Sequence, residues 1–451
     1  MPFALIVLAA GQGTRMNSDL PKVLHPLGAV PLFAHALASG AALEPERNVL
    51  VVGHGAEAVR KAAVNIDPEI AIAVQGEQLG TGHAVAQAAP ALAGFEGDAV
   101  VLYGDTPFIK PATLDAMNDA RRAGHGIVIL GFDAADPGRY GRLVMHGETL
   151  EKIVEFKDAT DEERRITLCN SGVVMADAAT LFDLCNALSN DNASGEYYLT
   201  DIVEIARTRG ISATAVTCDE SETLGINTRA ELARAEAMFQ QNARADALEN
   251  GVTMQAPDTV FFAQDTVLGR DAVIEPNVVF GPRVSVETGA HIRAFSHLEG
   301  CHVGQNAVVG PYARLRPGAE LSNDSKVGNF VEIKNATLGE GAKVNHLTYI
   351  GDASIGAGSN IGAGTVTCNY NGVEKFRTEI GERVFIGSDT MLVAPVTIGD
   401  EAMTASGSVI TKNVPEGALA LGRSDQVIKP NAARRLFEMY KKARDKRRKE
   451  A

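Results

Sequence analysis

No stretch of this sequence approaches the roughly 18 consecutive apolar residues that a membrane span needs, so no transmembrane segment is predicted. Tryptophan is absent. The five cysteines (Cys169, Cys185, Cys218, Cys301, Cys368) are odd in number, scattered and without CxxC spacing. That excludes a disulfide frame or a cysteine zinc site and reads as reduced thiols in a cytoplasmic protein. Positive charge is also scarce: the net charge is −14 and the sequence pI near 5.3, which excludes a general nucleic-acid binder. Anionic small molecules held by local Lys and Arg remain compatible with it. The N-terminal apolar run, Phe3 to Ala10, has no basic residues before it and ends at once in Gly-Gln-Gly, so it reads as a buried strand and not as a signal peptide. What is present, 45% hydrophobic and 22% charged residues over 451 positions, suits a soluble globular protein of two domains, each able to form its own core.

A period of six begins only after residue 250. Apolar side chains fall at Leu268, Ile274, Phe280, Val286, Ile292 and Leu298, then, after a slip of one, at Val303, Val309, Leu315, Leu321, Val327 and Ile333. Two further slips carry it through Leu338, Val344, Ile350 and Ile355, Ile361, and it resumes at Ile380, Ile386, Leu392, Ile398, Thr404 and Ile410. Gly, Asn, Asp and Ala lie between. Neither an α-helix nor an alternating strand has this period. It predicts a parallel β-helix whose short strands each send one branched side chain inward, three hexads to a coil, about eight coils in all. Polar residues from Thr365 to Glu379 break the rhythm, predicting a loop extruded from the prism.

Nothing before residue 230 has this period. Apolar runs at 3–9, 48–52, 70–74, 98–103 and 127–131 alternate with helical patterns at 31–42, 55–64, 81–92 and 111–123. That alternation predicts a doubly wound α/β sheet, with ligands at the carboxyl ends of its strands. Thr228 and Glu231 have capping-box spacing and open an Ala-rich run stopped by Gly251. The expected division is therefore 1–228, a helical linker 229–250, and 251–451.

The loop after the first strand reads LAAGQGTRM over 8–16, followed by Pro21-Lys22. Two glycines let backbone N–H groups approach an anion, and Arg15 and Lys22 add charge; the plain alternative is a tight turn with a surface Arg. Met16 stands where a dinucleotide fingerprint needs its third Gly, and no Gly-Lys-Ser/Thr follows.

These residues resemble the signature of the sugar-1-phosphate nucleotidylyltransferases. Gln75-Gly-Glu-Gln-Leu-Gly80-Thr81-Gly-His83 is similar to that family's base- and ribose-side loop, Tyr103-Gly104-Asp105 to its metal-binding strand end, and Tyr140-Gly141-Arg142, Glu155, Asn170 and Asn227 to its sugar contacts and second metal ligand. With the hexad half and Asn329-Phe-Val-Glu-Ile-Lys334, the likeness spans essentially the whole chain. It is to the bacterial family that joins N-acetylglucosamine-1-phosphate uridylyl transfer to glucosamine-1-phosphate N-acetyl transfer in one polypeptide.

The resemblance implies a Rossmann-like nucleotidyltransferase domain, a left-handed β-helix of hexapeptide repeats, and a role in cell-wall precursor synthesis. UTP and the sugar nucleotide would be held by Leu8, Ala9, Ala10, Gly11, Arg15, Lys22, Gln75, Gly80, Thr81, Tyr103, Gly104, Asp105, Gly141, Glu155, Asn170 and Asn227, with Mg²⁺ on Asp105 and Asn227. A phosphomonoester nucleophile is already largely ionised at neutral pH, since its second pKa is near 6, so this chemistry needs anion gathering and charge neutralisation, not a base. Asp105 suits Mg²⁺, which takes one or two protein oxygens; an isolated Asp after a strand is otherwise a turn or cap residue, as Asn227 beside Thr228 would be.

Acetyl transfer needs a neutral amine and hence a base titrating near pKa 6.5. His346 alone reads as a corner residue of the coil; the resemblance makes it that base, with Glu332 as its orienting partner. Arg316 and Lys334 lie 18 residues apart, one coil, which stacks them as a phosphate patch or leaves two unrelated surface charges. The resemblance further assigns Tyr349 and Asn360 to the amino sugar, and Ala363, Asn369, Tyr370, Ser388, Ser406 and Arg423 to acetyl-CoA. Ser406 departs from the Ala of some relatives, and both are small enough for a backbone contact. The basic tail Arg434–Lys449 reads as a solvated end, or alternatively as a contact to coenzyme phosphates in a neighbouring subunit.

Two other readings stand beside the bifunctional enzyme. One is a monofunctional pyrophosphorylase whose β-helix is only structural or regulatory, the other a non-catalytic relative kept as a binding module. Joint presence of Arg15, Lys22, Asp105 and Asn227 disfavours the second, and of Arg316, Lys334, His346, Tyr349 and Arg423 the first. Flat prism faces and the resemblance both imply a homotrimer, acting on small molecules and on neither nucleic acid nor membrane.

Overall fold

The computed structural model describes residues 2–450, the side chains of the last two of these excepted. The chain falls into two compact units: one runs to Asp246 and takes back Phe262–Asp265, and the other comprises Ala247–Phe261 and everything from Thr266 on.

In the first unit, β1 (Phe3–Ala9), β2 (Arg47–Val52), β3 (Ala71–Val74), β4 (Asp98–Tyr103), β5 (Ile127–Asp133), β6 (Arg142–His146), β7 (Thr149–Val154), β8 (Leu168–Asp177) and β9 (Ala213–Cys218) form one sheet. Its central order is β9-β5-β8-β4-β1-β2-β3, with β6 and β7 as an appended hairpin. Ala4, Ile6 and Leu8 enter one core layer and Phe3, Leu5, Val7 and Ala9 the other. Burial on both faces is why β1 reads as an unbroken apolar run. The expected helices form as α1 (Leu32–Ala41), α2 (Ala56–Ile66), α3 (Thr81–Ala86) with a 3₁₀ turn at Ala89–Leu92, and α4 (Pro111–Arg122).

The sheet differs from the expected all-parallel one. β8 runs antiparallel between β4 and β5. Its sequence hid it: Asn170-Ser-Gly172 interrupts the apolar run, the register shifts between Asn170 and Val174, and Gly172 has φ +92°. Gly172 also lies against the Tyr103 ring, where a Cβ would collide.

Two further helices, α5 (Ala178–Asn186) and α6 (Ile202–Thr208), precede α7 (Arg229–Glu249). The capping box forms: the Glu231 carboxylate accepts from the Asn227 and Thr228 N–H groups, and the Thr228 hydroxyl accepts from the Glu231 N–H. Gly251, at φ +87°, ends the helix. α7 does not stand free, since Ala235 is buried and the amide of Gln240 bonds the Phe262 backbone in both directions.

The second unit is a three-faced parallel coil. One face stacks ten short strands from Thr253–Met254 to Leu419–Ala420. The other two are joined because Glu332–Leu338 and Tyr349–Ile355 each turn a corner and pair on both sides of it. Of the hexad positions predicted to point inward, Ile274 to Ile410 are buried, including Thr404, and Leu268 at the start is half-buried.

Left-handed backbone recurs with the same beat, at Asp271, Asn277, Arg283, Gly289, Phe295, Gly300, Asn306, Tyr312, Gly318, Asp324, Phe330, Asn335, Gly341, Leu347 and Asp352. Intervals of five fall at 295–300, 330–335 and 347–352, the same three places where the apolar count slips. A non-glycine residue in this conformation costs about 1–2 kcal/mol, so interior burial must hold each corner closed. The polar excursion is narrower than expected: Val366–Cys368 still forms a strand, and the chain returns at Thr378.

Ile333→Ala, at a fully buried hexad position, should destabilise the second unit by about 2–5 kcal/mol. Denaturant unfolding followed by circular dichroism would measure it, and a loss under 1 kcal/mol would contradict a close-packed prism.

Two candidate active sites

At the carboxyl end of β1 the chain opens into a cavity of about 290 Å³ lined by Leu8, Ala9, Ala10, Gly11, Lys22, Gln75, Gly80, Thr81, Tyr103 and Asp105, with Val23, Gln78, Ala84 and Glu196. Parallel pairing of Leu8 with Tyr103 sets the two strand ends side by side. Gly13, at φ +62°, lies against the Lys22 stem where a Cβ would clash; the glycine is therefore what lets the 10–16 loop close over Lys22. The Lys22 ammonium donates to Asp105 Oδ2 and, at 3.1 Å, to Asn227 Oδ1. Asn227 reaches this point because the Ile226 N–H is bonded to the Asp105 carbonyl. Two oxygens from distant segments thus converge on one cation.

Gly141, Glu155 and Asn170 form a neighbouring cluster. The Asn170 N–H donates to the Gly141 carbonyl at 2.9 Å, and the Thr200 hydroxyl donates to Glu155 at 3.3 Å. Burial raises the Glu155 carboxyl above its usual range, with Asp201, Asp158 and Glu196 adding to it and the Thr200 bond opposing. Tyr103 stands near both groups, its phenol pushed up by burial, then by Asp105 and Glu155. Arg15 is exposed and outside the cavity lining. Arg142 is buried and spends its guanidinium on the Tyr140, Gly138 and Arg164 carbonyls.

The sequence reading missed Gln78, which donates to the Ala10 carbonyl at 2.7 Å, and Glu196. Gln78 sits inside the 75–83 motif and was in plain view. Glu196 carried no local signal, since it arrives through the Gly82-to-Tyr197 and Tyr197-to-Leu79 backbone bonds.

In the second unit, register does the gathering. Asn329 pairs with His346; Val344 pairs with Ile361, Ile361 with Ile386, and Ile386 with Thr404. Two residues on from each of these last four stand His346, Ala363, Ser388 and Ser406, in one row along one corner. Arg423 closes it, donating to the Ser406 carbonyl at 2.7 Å.

Across the same coils, Arg314 pairs with Glu332 and Leu315 with Ile333, which sets Arg316 level with Lys334. Lys375, unassigned in the sequence, brings a second ammonium beside Lys334 and pulls the Lys334 pKa below its usual value. The excursion carries it in, with Tyr370 bridged to Lys375. Asn369 is buried and bonded to Asp352, while Tyr370 is exposed with its hydroxyl on the Gly372 carbonyl. Asn360 pairs with Lys343 and Tyr349 with Glu332.

One expectation fails. Glu332 does not orient His346: its carboxylate pairs with Arg316 at 2.8 Å, and the His346 Nδ1 is bonded instead to Asn329 Oδ1 at 2.7 Å. Pairing in parallel strands puts position 329, not 332, beside 346. The basic tail is helical over α8 (Ala432–Glu450) and exposed along its described side chains.

Residues 5–171 match the MobA-like NTP transferase domain, and residues 377–412 match the six-repeat bacterial transferase hexapeptide. Fold and sites together define a nucleotidyltransferase joined to a hexapeptide acyltransferase. A protein of Jannaschia sp. (strain CCS1) named Bifunctional protein GlmU is 67% identical over 98% of this chain and 98% of its own length. Proteins of that name from Cereibacter sphaeroides (strain ATCC 17023) and Ruegeria pomeroyi are 68% and 66% identical, over 99% and 100% of this chain and 98% and 100% of their own lengths. The chain belongs to the family of bifunctional GlmU proteins and is an enzyme with two transferase activities, uridylyl transfer and acetyl transfer. Among the described residues no helix is long and apolar enough to cross a membrane.

The carboxylates beside the first site predict a pH dependence. Asp201 is pushed up to about 6, chiefly by burial and then by Glu204 and Asp158, above the unfolded value of about 3.9. The folded state therefore favours the protonated form, and stability falls as pH rises from about 4 through 6. Asp201→Asn should raise the thermal midpoint of the first unit more at pH 8 than at pH 4; equal shifts at both would refute this.

Proposed function

We propose that the first unit transfers uridylyl from UTP to N-acetylglucosamine 1-phosphate, releasing pyrophosphate, and that the second acetylates glucosamine 1-phosphate from acetyl-CoA to supply that substrate. The observation that carries the two-activity reading over a merely structural β-helix is the single row from His346 through Ala363, Ser388 and Ser406 to Arg423. It spans three coils, about 14 Å at roughly 4.8 Å per strand. Acetyl-CoA lies along this row in the proposal, with Arg423 toward its phosphates and the thioester at His346.

In the first unit, Asp105 and Asn227 fit a Mg²⁺ ion: their oxygens already converge on one cation, the Lys22 ammonium. Mg²⁺ takes few protein ligands and completes its shell with phosphate and water, so two side-chain oxygens are enough to hold it. Bound there, Mg²⁺ would neutralise phosphate charge. The chain's own part is positional: Gly11 opens the backbone to the phosphates, Lys22 holds them, and Gly141, Glu155, Asn170 and Thr200 receive the sugar. A phosphate nucleophile already ionised needs no proton removed. In the second unit, Arg316, Lys334 and Lys375 gather the sugar phosphate, Tyr349 and Asn360 contact the amino sugar, and His346 takes the amine proton.

The two activities should separate. Asp105→Ala should lower uridylyl transfer by about 10²–10³-fold or more and leave release of CoA thiol near the parent rate. His346→Ala should lower acetyl transfer by about 10²–10⁴-fold and leave UDP-N-acetylglucosamine formation intact. A chelator should act as Asp105→Ala does. Mass spectrometry of products from glucosamine 1-phosphate, acetyl-CoA, UTP and Mg²⁺ reads both steps; either folded variant losing both activities would sink the two-site reading.

We also propose a homotrimer, supported by an exposed aromatic ladder on one prism corner. The rings of Phe295 and Tyr312 stack at 4.9 Å and those of Tyr312 and Phe330 at 5.2 Å, with Leu347 one coil further, and Phe330 is 56% exposed. Apolar side chains stacked in water and held in a strained backbone support the reading that another copy covers this corner. Sedimentation should give a trimer for the parent and smaller species for Phe330→Asp, with acetyl transfer falling and uridylyl transfer kept. A monomeric parent with full acetyl transfer would rule the assembly out.

A further inference from the structure

We propose that Asn329 is the positioning residue that fixes the tautomer of His346, an inference that rests on reading His346 as the base for acetyl transfer. Three observations place Asn329 in this role. It is the register partner of His346 on the adjacent coil, and its Oδ1 lies 2.7 Å from the imidazole Nδ1. The register has no play, because Gly328 lies against the Asn345 backbone carbonyl where a Cβ would collide. The His346 backbone is pinned as well, its carbonyl accepting from the Thr348 hydroxyl at 2.6 Å and from the Gly364 N–H at 3.2 Å. Among the described residues Asn329 is the only hydrogen-bond partner of the ring. The acid nearest Asn329 in sequence, Glu332, is engaged by Arg316.

The chemical consequence follows from the acceptor. An amide oxygen receives a proton and offers none, so the neutral imidazole must carry its hydrogen on Nδ1 and leave the Nε2 lone pair bare. Nε2 is then the base. The amine nitrogen of the sugar bonds to the thioester carbonyl carbon, and its proton passes to Nε2. The C–S bond then breaks with the electron pair on sulfur, and the Nε2 proton goes to the departing thiolate. One amide and one thiol result, and His346 returns to its starting tautomer. While the ring is cationic, the Nδ1–H bond to the Asn329 oxygen becomes charge-assisted. The charged groups on the strands packed around the ring are Lys326 and Lys343 earlier on the two paired strands, the Arg316–Glu332 pair across the corner, and Asp389 on the coil beyond Gly364. None of these is bonded to it.

The test uses the full-length protein. Ring-¹⁵N spectra of the parent should show Nδ1 of His346 protonated and Nε2 bare; an Nε2-protonated neutral ring would overturn the proposal. Asn329→Leu should lower the kcat of acetyl transfer by about 10–100-fold, as loss of an orienting partner of a functional imidazole does. The KM values for acetyl-CoA and glucosamine 1-phosphate should stay within about twofold, and uridylyl transfer should be unchanged as a check on folding. Asn329→Asp should retain activity while shifting the acidic limb of the pH profile up by roughly one unit, because a carboxylate favours the imidazolium. An Asn329→Leu protein with parental kcat and pH profile would also overturn the proposal. Retained acetyl transfer in His346→Ala would instead overturn the reading of His346 as the base, a failure distinguishable because it is seen without touching Asn329.

Discussion

Parallel strand pairing brings distant residues to the same level without any side chain having to reach. In the first unit it aligns Leu8 with Tyr103, so the glycine loop and the Asp105 turn leave the sheet at one edge and share one cavity. In the second it repeats coil after coil, so that a choice made at one corner is copied 17 or 18 residues later at the next, or 25 where the excursion intervenes. An antiparallel hairpin brings together residues close in sequence; a parallel crossover brings together residues a full unit apart. The cavity at Lys22 and Asp105 and the row through His346 are products of that property, whereas the Gly141–Asn170 cluster rests on antiparallel pairing.

This is also why so much of the second unit is legible in the sequence. A strict inward period fixes register, and register fixes which residues stack: Arg316 over Lys334 follows from counting, whereas Ala363 over Ser388 spans the excursion and is set by the pairing of Ile361 with Ile386. Even the slips in the count are structural, each matching a left-handed corner five residues after the last. Counting fails where a strand turns a corner. Residues 329 and 332 differ by three positions, enough to move from the strand paired with His346 to the next face, and Glu332 was for that reason the wrong partner. Lys375 was invisible because it enters on the excursion, where no period holds. In the first unit the strands buried on both faces announced themselves by composition, whereas β8 did not, since a bulge and a glycine needed to clear Tyr103 broke its pattern.

Charge is distributed against the trend of the whole molecule. A chain of net charge −14 repels the phosphorylated compounds it is proposed to bind, so attraction has to be local. The second unit does this by crowding: two ammonium groups, Lys334 and Lys375, stand side by side, and the Lys334 pKa falls as a result. Such a pair is destabilising alone and would be relieved by a dianion between them, which suits the patch to the sugar phosphate it is proposed to bind. The first unit does the reverse. Lys22 is already neutralised by Asp105, so in the proposed reaction the substrate phosphates would have to draw it away from that carboxylate, which would free its oxygens for a divalent ion.

The two sites differ most in how they treat protons, and their surroundings match that difference. Where the nucleophile is already an anion, the proposed sugar pocket stands beside carboxyls that burial holds above their usual range, Glu155 and Asp201 among them. None of these is asked to act as a base. Where the nucleophile is an amine, the only histidine in the row sits on an exposed corner with a neutral amide as its partner. A carboxylate in that place would hold the imidazole as a cation over more of the physiological pH range and blunt its capacity to accept a proton. An amide gives orientation without that penalty, and the one carboxylate within three residues of Asn329 is turned to Arg316 on the proposed phosphate patch. The same Arg–Glu pair that removes Glu332 from the imidazole anchors the guanidinium beside Lys334, so the separation of the proposed base from the proposed anion-binding groups would be built into a single salt bridge.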